Sequence, residues 1–134
     1  MKIVLTGKNL TVKKVWDIAV NGAEVEIAPE AEARLEAARK LVYDLAEKDV
    51  PIYGFTTGVG WNKDRRIAKE FFEDFNRKLI YSHSFAVAPE ASDAEVRAVM
   101  AIRLNCLLLG HTGVQFDVAR RYAEFLNAGI CPIV

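Results

Sequence analysis

VRAVMAIRLNCLLLG, residues 96–110, is the most apolar segment of the chain. Its apolar residues recur at helical spacing rather than in strict alternation, so it reads as a helix packed in a core. Gly110 offers a C-cap, since a residue without Cβ readily takes the left-handed conformation that closes a helix. Ser92 or Asp93, followed by Glu95, resembles the matching helix start. Cys106 lies inside the run and reads as a small core residue. Arg103 and Asn105 stand out. A guanidinium in such a helix has to snorkel, pair within the chain, or meet a carboxylate or another subunit.

The flanks extend the helical reading. Phe116 to Leu126 forms a last helix, closed by Asn127 and Gly129. Upstream, Ile67, Phe71, Phe72, Phe75, Leu79 and Ile80 favour one face of a helix from about Asp64 to about Tyr81. SHSFAVAPEASD, residues 82–93, is a loop or helix break. An earlier helix starts at Pro29, carries Glu30 and Glu32 in its first turn, and repeats Leu35, Ala38, Leu41, Val42 and Leu45. Lys48 lies near its end, and Pro51 prevents its continuation. At the front, KIVL reads as a strand and LTVKKVWDIAV as a second strand or a short helix. NGAEVEIA, with an Asn-Gly turn and alternating Val25 and Ile27, predicts a hairpin arm. The expected fold is mainly α with a small β region at the start. No repeat or linker divides residues 1–134, which are expected to form one segment.

Composition narrows the function. Of 134 residues, 51% are apolar, and 18 Lys and Arg balance 18 Asp and Glu. That balance gives no electrostatic case for nucleic acid or an acidic membrane surface. The start lacks the apolar core of a signal peptide, and no apolar run is long enough to span a bilayer. Cys106 and Cys131 have no metal-ligand spacing and read as reduced thiols of a cytoplasmic protein, with a disulfide as the lesser reading. GICPIV, residues 129–134, is apolar straight after a helix, which implies burial or continuation in another polypeptide.

Chemistry-bearing residues are few. IYGFTTGVG, residues 52–60, places Tyr53 at the mouth of a loop containing Gly54, Thr56, Thr57, Gly58 and Gly60. It is no phosphate loop, for neither GxGxxG nor GxxxxGK[ST] is present. Its glycines permit close backbone approach, so it is either a lid over a ligand or a linker whose Tyr packs on the core. His83, between two serines near a helix end, is either a dipole-favoured C-terminal residue or a pocket residue. His111 after Gly110 reads as a cap or surface residue. No second His or Cys stands at ligand spacing, so no metal is expected. Asp64-Arg65-Arg66 and Arg120-Arg121 read as solvated faces.

Four segments taken together resemble the aromatic amino acid ammonia-lyase family, which includes histidine, phenylalanine and tyrosine ammonia-lyases and related aminomutases. IYGFTTGVG resembles the family's YGxxTGxG loop. LIYSH (79–83) resembles its Leu-x-x-Ser-His segment, VRAVMAIRLNCLLLGHTGV (96–114) its helix and Gly-x-Ser-Gly turn, and FLNAGICPIV (125–134) the helix end and Pro-containing strand beyond. Their order and approximate spacing are the family's, and they cover nearly the whole chain.

The resemblance carries specific implications. Tyr53 becomes the base that removes the β-proton of an amino acid whose amine is held by the electrophile methylidene-imidazolone. A phenol ordinarily loses its proton near pH 10, so that role demands positive charge or hydrogen-bond donors at its oxygen. Gly54, Thr56, Thr57 and Gly58 become the lid. His83 and Gly60 become substrate-binding, and the Ser-His pair points to histidine over tyrosine as substrate. The electrophile forms from Ala-Ser-Gly, a tripeptide this chain lacks; Ala91-Ser92 is followed by Asp93. The chain is thus expected to be an N-terminal fragment or small subunit, inactive alone, in a homo- or hetero-oligomer of tetrameric kind. A second chain would carry the C-terminal portion and the electrophile. Helices 64–81 and 94–110 are expected to join a bundle across subunits. Thr56, Val59, Lys78 and Thr112 depart from the family's Asn, Phe, Asn and Ser. The first and third bear on the substrate and leave open an aminomutase subunit, or a non-catalytic relative that binds or stabilises a partner.

Overall fold

Lys2–Leu5 forms strand β1 and Glu24–Ile27 strand β2 in the computed structural model, which describes residues 1–48 and 50–134. The two strands pair in parallel, with Ile3 opposite Val25 and Leu5 opposite Ile27. The predicted hairpin is therefore wrong. Helix α1, Val12–Ala19, crosses between the strands, and a crossover of this kind yields a parallel pair. The ambiguous segment at residues 10–20 is helical because Thr11 caps it, its hydroxyl accepting from the Lys14 N–H, and because Ile18 and Ala19 fall on its buried side. The Asn-Gly turn remains, but it joins α1 to β2, with Gly22 at φ +66°.

The remaining helices are α2 (Pro29–Glu47), α3 (Phe72–His83), α4 (Asp93–Leu107) and α5 (Phe116–Ala128). The chain is mainly helical with a small sheet at its start, as expected. It divides into two compact units, one of residues 1–40 and 87–134, the other of residues 41–86.

In the first unit α4 packs on α1 and α5, and α5 packs on β2. Leu5, Ile18, Leu35, Leu104, Leu107 and Leu108 fill its centre. Polar side chains tie the layers through backbone carbonyls. Arg97 donates to the Ile18 and Leu126 carbonyls, both at 2.9 Å, at the ends of α1 and α5. Asn127 accepts from the Val25 N–H at 2.7 Å and donates to the Val25 carbonyl at 2.9 Å, completing the open edge of β2. Asn105 donates to the Gly7 carbonyl at 3.0 Å, which explains an amide in an apolar helix. The turn after β1 presses so closely on the end of α4 that a Cβ at Gly7 would lie 2.8 Å from the Leu108 carbonyl. Ser92 and Glu95 form the capping box that starts α4. Gly129, at φ +69°, closes α5. Cys106 is exposed rather than core, because it falls on the face of α4 opposite Leu104 and Leu107; both cysteines are free.

In the second unit the predicted helix at 64–81 begins late. Residues 64–68 are irregular, a 3-10 turn occupies Lys69–Phe71, and α3 follows to His83. The backbone of this segment is committed elsewhere: the Gly58 N–H donates to the Arg65 carbonyl, the Ile67 N–H to the Thr56 carbonyl, and Thr57 bridges Arg66 antiparallel. Phe55 packs edge-on against Tyr43 (centroids 6.1 Å apart) and against Phe72 at 5.3 Å, forming the unit's aromatic centre. No helix of the described residues is long and apolar enough to cross a membrane.

Candidate functional site

The loop at 52–60 is a tight knot. The Phe55, Thr56 and Thr57 N–H groups all point at the Ile52 carbonyl. Thr56 is buried; its hydroxyl accepts from the Ile52 N–H at 2.7 Å and donates to the Val50 carbonyl at 2.9 Å. Thr57 is also buried and donates to the Ile52 and Gly58 carbonyls. Both hydroxyls supply partners that an irregular backbone lacks. Thr56 therefore shapes the loop from beneath and does not line the cleft beside Tyr53, although the sequence placed it near the site. Gly58 is required by close approach, since an added Cβ would lie 2.5 Å from the Asn62 carbonyl oxygen. Gly54 has φ +71° and lies against Val59.

This knot holds Tyr53 outward, 65% exposed. The Gly60 N–H donates to the Tyr53 hydroxyl oxygen at 3.0 Å, bending the loop back on its own aromatic residue. A cleft of about 580 Å³ opens beside it, lined by Tyr53, Val59, Gly60, Leu79, Ile80 and His83. Tyr53 and Gly60 from the loop and His83 from α3 thus meet on one cleft. Lys78 does not line it and pairs with Asp74 at 2.6 Å. Leu79 and Ile80 were not picked as site residues.

His83 is oriented from its own helix. Its Nδ1 lies 2.8 Å from the Leu79 carbonyl, which can only accept, so Nδ1 carries the proton. Ser82 Oγ lies 3.0 Å from the same nitrogen and donates to the same carbonyl. Nε2, which no described residue engages, is then an acceptor in the neutral ring. The i, i−4 relation between Leu79 and His83 along α3 is the signal that could have revealed this in the sequence.

The cleft thus combines a phenol, an imidazole acceptor and apolar walls. Such a set can accept a proton and recognise a ring that carries a donor. Among the described residues no three His, Cys, Asp or Glu side chains cluster for a metal. His111 and Thr112 are exposed in the first unit, away from these residues in sequence. A second cleft of about 390 Å³, in the first unit, is lined by Met100, Val118, Arg121, Tyr122, Phe125 and Pro132 and is almost wholly apolar.

A family model described as aromatic amino acid lyase matches residues 10–134. Over 132 residues the chain is 39% identical to the histidine ammonia-lyase of Streptomyces avermitilis, covering 98% of this chain and 26% of that protein. It is 35% identical to the MIO-dependent tyrosine 2,3-aminomutase of Streptomyces globisporus, covering 98% of this chain and 24% of that protein. The crystal structure of the ergothioneine-degrading enzyme ergothionase from Treponema denticola, in complex with desmethyl-ergothioneine sulfonic acid, superposes with a TM-score of 0.94 at 41% identity. That match covers 99% of this chain and 27% of the other. The chain spans about a quarter of the length of the curated relatives it matches. With the match running over nearly its whole length, the chain belongs to the aromatic amino acid lyase family.

Proposed function

We propose that this chain supplies the tyrosine-bearing wall of an amino acid ammonia-lyase site, with histidine favoured over tyrosine as substrate. The C-terminal portion of the family fold, on a partner chain or on a missing segment of the same polypeptide, completes it. The observation that carries the reading is the meeting of Tyr53, Gly60 and His83 on one cleft, with a backbone N–H aimed at the phenol oxygen. A phenolate accepts hydrogen bonds and donates none, and the Gly60 N–H is a donor in place for it. Tyr53 takes the β-proton. His83 Nε2 accepts from the donor of the substrate ring, while Leu79 and Ile80 pack on its apolar part. The methylidene-imidazolone that the family implies does not fit this chain's own residues, because no Ala-Ser-Gly occurs in it to form the group. It would come from a partner chain or a missing segment, and its chemistry is to activate the amine as a leaving group.

Turnover of the assembled complex tests this. Tyr53→Phe removes one hydroxyl from an exposed side chain and leaves assembly intact, while ammonia release from histidine falls by about 10²- to 10⁴-fold. Unchanged turnover would remove Tyr53 from the reaction. A second reading, a 2,3-aminomutase, draws on the 35% identity to the tyrosine aminomutase; tyrosine then yields a β-amino acid without net ammonia. The likeness to ergothionase makes ergothioneine a third substrate to assay. If no complex containing the chain acts on any of the three, the non-catalytic reading takes over.

A further inference from the structure

The second unit holds another cavity, of about 300 Å³, that shares no residue with the cleft beside Tyr53. It is lined by Tyr43, Ala46, Glu47, Phe55, Lys69 and Phe72. Clefts that take small molecules begin at about this size. Its walls are the rings of the aromatic centre. Phe55 stands edge-on to Tyr43 and tilted by 40° to Phe72, so neither pair is stacked face to face. Ring faces left open in this way accept another ring, offset or edge-on. Ala46 is buried and contributes only a methyl group. The two remaining lining residues bring opposite charges from different elements. Glu47 closes α2, and Lys69 opens the 3-10 turn before α3. Neither side chain has a hydrogen bond or ion pair among the described residues. The first-turn acids of α3 are spent elsewhere, Glu73 on Arg77 and Asp74 on Lys78. Glu47 also stands at the negative end of the α2 dipole, with no basic residue in the last turn, so its position favours a cation.

We propose that this cavity is a second binding site, for a zwitterionic amino acid with an aromatic side chain. The ring enters among Tyr43, Phe55 and Phe72. The carboxylate accepts from Lys69 Nζ, and the ammonium group donates to the Glu47 carboxylate. An uncharged ligand would leave both charges unused, and a simple anion or cation would answer only one. Phe55 belongs to the loop that carries Tyr53, so a ring bound against it holds the conformation in which the Gly60 N–H meets the Tyr53 hydroxyl. The order of that loop then depends on the amino acid concentration. The site goes beyond the proposed reaction and does not rest on it.

Equilibrium dialysis with labelled L-phenylalanine tests it, on the full chain together with whatever polypeptide accompanies it on purification. The His83→Leu variant is the background, so that ring recognition beside Tyr53 is weakened. Phenylalanine is expected to bind in the millimolar range or tighter. Lys69→Glu and Glu47→Lys are each expected to weaken binding by about tenfold or more. Both residues are exposed, so circular dichroism should be unchanged. Hydrocinnamate, which lacks the ammonium group, and phenethylamine, which lacks the carboxylate, should each bind about tenfold more weakly than phenylalanine. Amide exchange of residues 52–60 should slow when phenylalanine is added. No binding in the millimolar range overturns the proposal. So does Lys69→Glu binding as well as its parent, or hydrocinnamate binding as well as phenylalanine. Binding that survives Lys69→Glu and is lost on adding Tyr53→Phe places the ligand beside Tyr53 and overturns it too. None of these outcomes measures turnover, so the proposed reaction stands or falls separately.

Discussion

A Cβ added at Gly58 would lie 2.5 Å from the Asn62 carbonyl oxygen, a backbone atom that cannot swing aside. At Gly60 an added Cβ meets nothing within 4 Å, and the only penalty is the left-handed φ of +55°. Gly58→Ala is therefore expected to destabilise by about 1–3 kcal/mol, and Gly60→Ala by about 1 kcal/mol. Urea unfolding of the two variants measures this; equal costs would mean that close approach is not what holds the loop. Gly60→Ala keeps the N–H that faces Tyr53. His83→Leu removes one neutral hydrogen bond to the substrate ring. On the proposed reading, kcat/KM for histidine drops by about tenfold, while Tyr53 and the assembly are untouched; no change would place His83 outside recognition. The sequence pattern alone could not join Tyr53 to His83, since no periodicity relates residues on a loop and a distant helix; the family's motif order did. Polar Thr56 in a Gly-rich stretch reads as exposed, yet its hydroxyl is spent on the Ile52 N–H and Val50 carbonyl. That inward use has no local signature.

At the scale of elements, local rules placed most of the helices. Pro29 at a helix start, the Ser92–Glu95 box and the left-handed Gly129 act within one turn of the chain, and the structure uses each. What failed depended on partners distant in sequence. The β2 segment has the composition of a hairpin arm, but its direction was set by α1 crossing between the strands. Residues 64–68 have helical patterning, but their backbone pairs with the loop at 56–58 instead. The capping box also predicts a pH dependence. Hydrogen bonds from the Ser92 hydroxyl and then the Ser92 N–H hold the Glu95 carboxyl below its ordinary range. Asp17 is lowered likewise, by Lys13 and then Asn21. A carboxyl whose pKa is depressed by folding contributes fully above its unfolded pKa, about 4, and the contribution is lost as pH falls through the folded value. Thermal unfolding from pH 6 downward should thus show a falling midpoint below about pH 4. Glu95→Gln, which keeps a neutral acceptor, should shallow that fall. An identical acid limb in the variant would mean that Glu95 does not link folding to protons.

At the scale of the whole molecule, a chain that carries the residues proposed as base and ring-recognition group lacks, within its 134 residues, the tripeptide from which the family builds its electrophile. Two features bear on how the gap is filled. The match to relatives is close over nearly all of this chain yet spans only about a quarter of theirs. One of its most apolar helices shows an apolar face to solvent. If the C-terminal portion lies on a second chain, native mass spectrometry on material from the chain's own source is expected to show a larger chain in equal ratio, in a tetramer-like multiple; if it lies on the same polypeptide, one chain about four times as long is expected instead. Peptide mapping of the larger chain should then find an Ala-Ser-Gly segment lighter by the water lost on cyclisation. A larger chain without that lighter peptide would leave Tyr53 with no electrophile to work against, and the complex would be a binding assembly. A lighter peptide together with ammonia release from histidine would make the division of labour physical: the base and ring-recognising wall on one chain, the leaving-group chemistry on the other. Neither chain would then turn over alone, because proton removal from an unactivated amino acid is too costly for a phenolate. Mixing the two separately purified chains should restore activity in proportion to the complex formed.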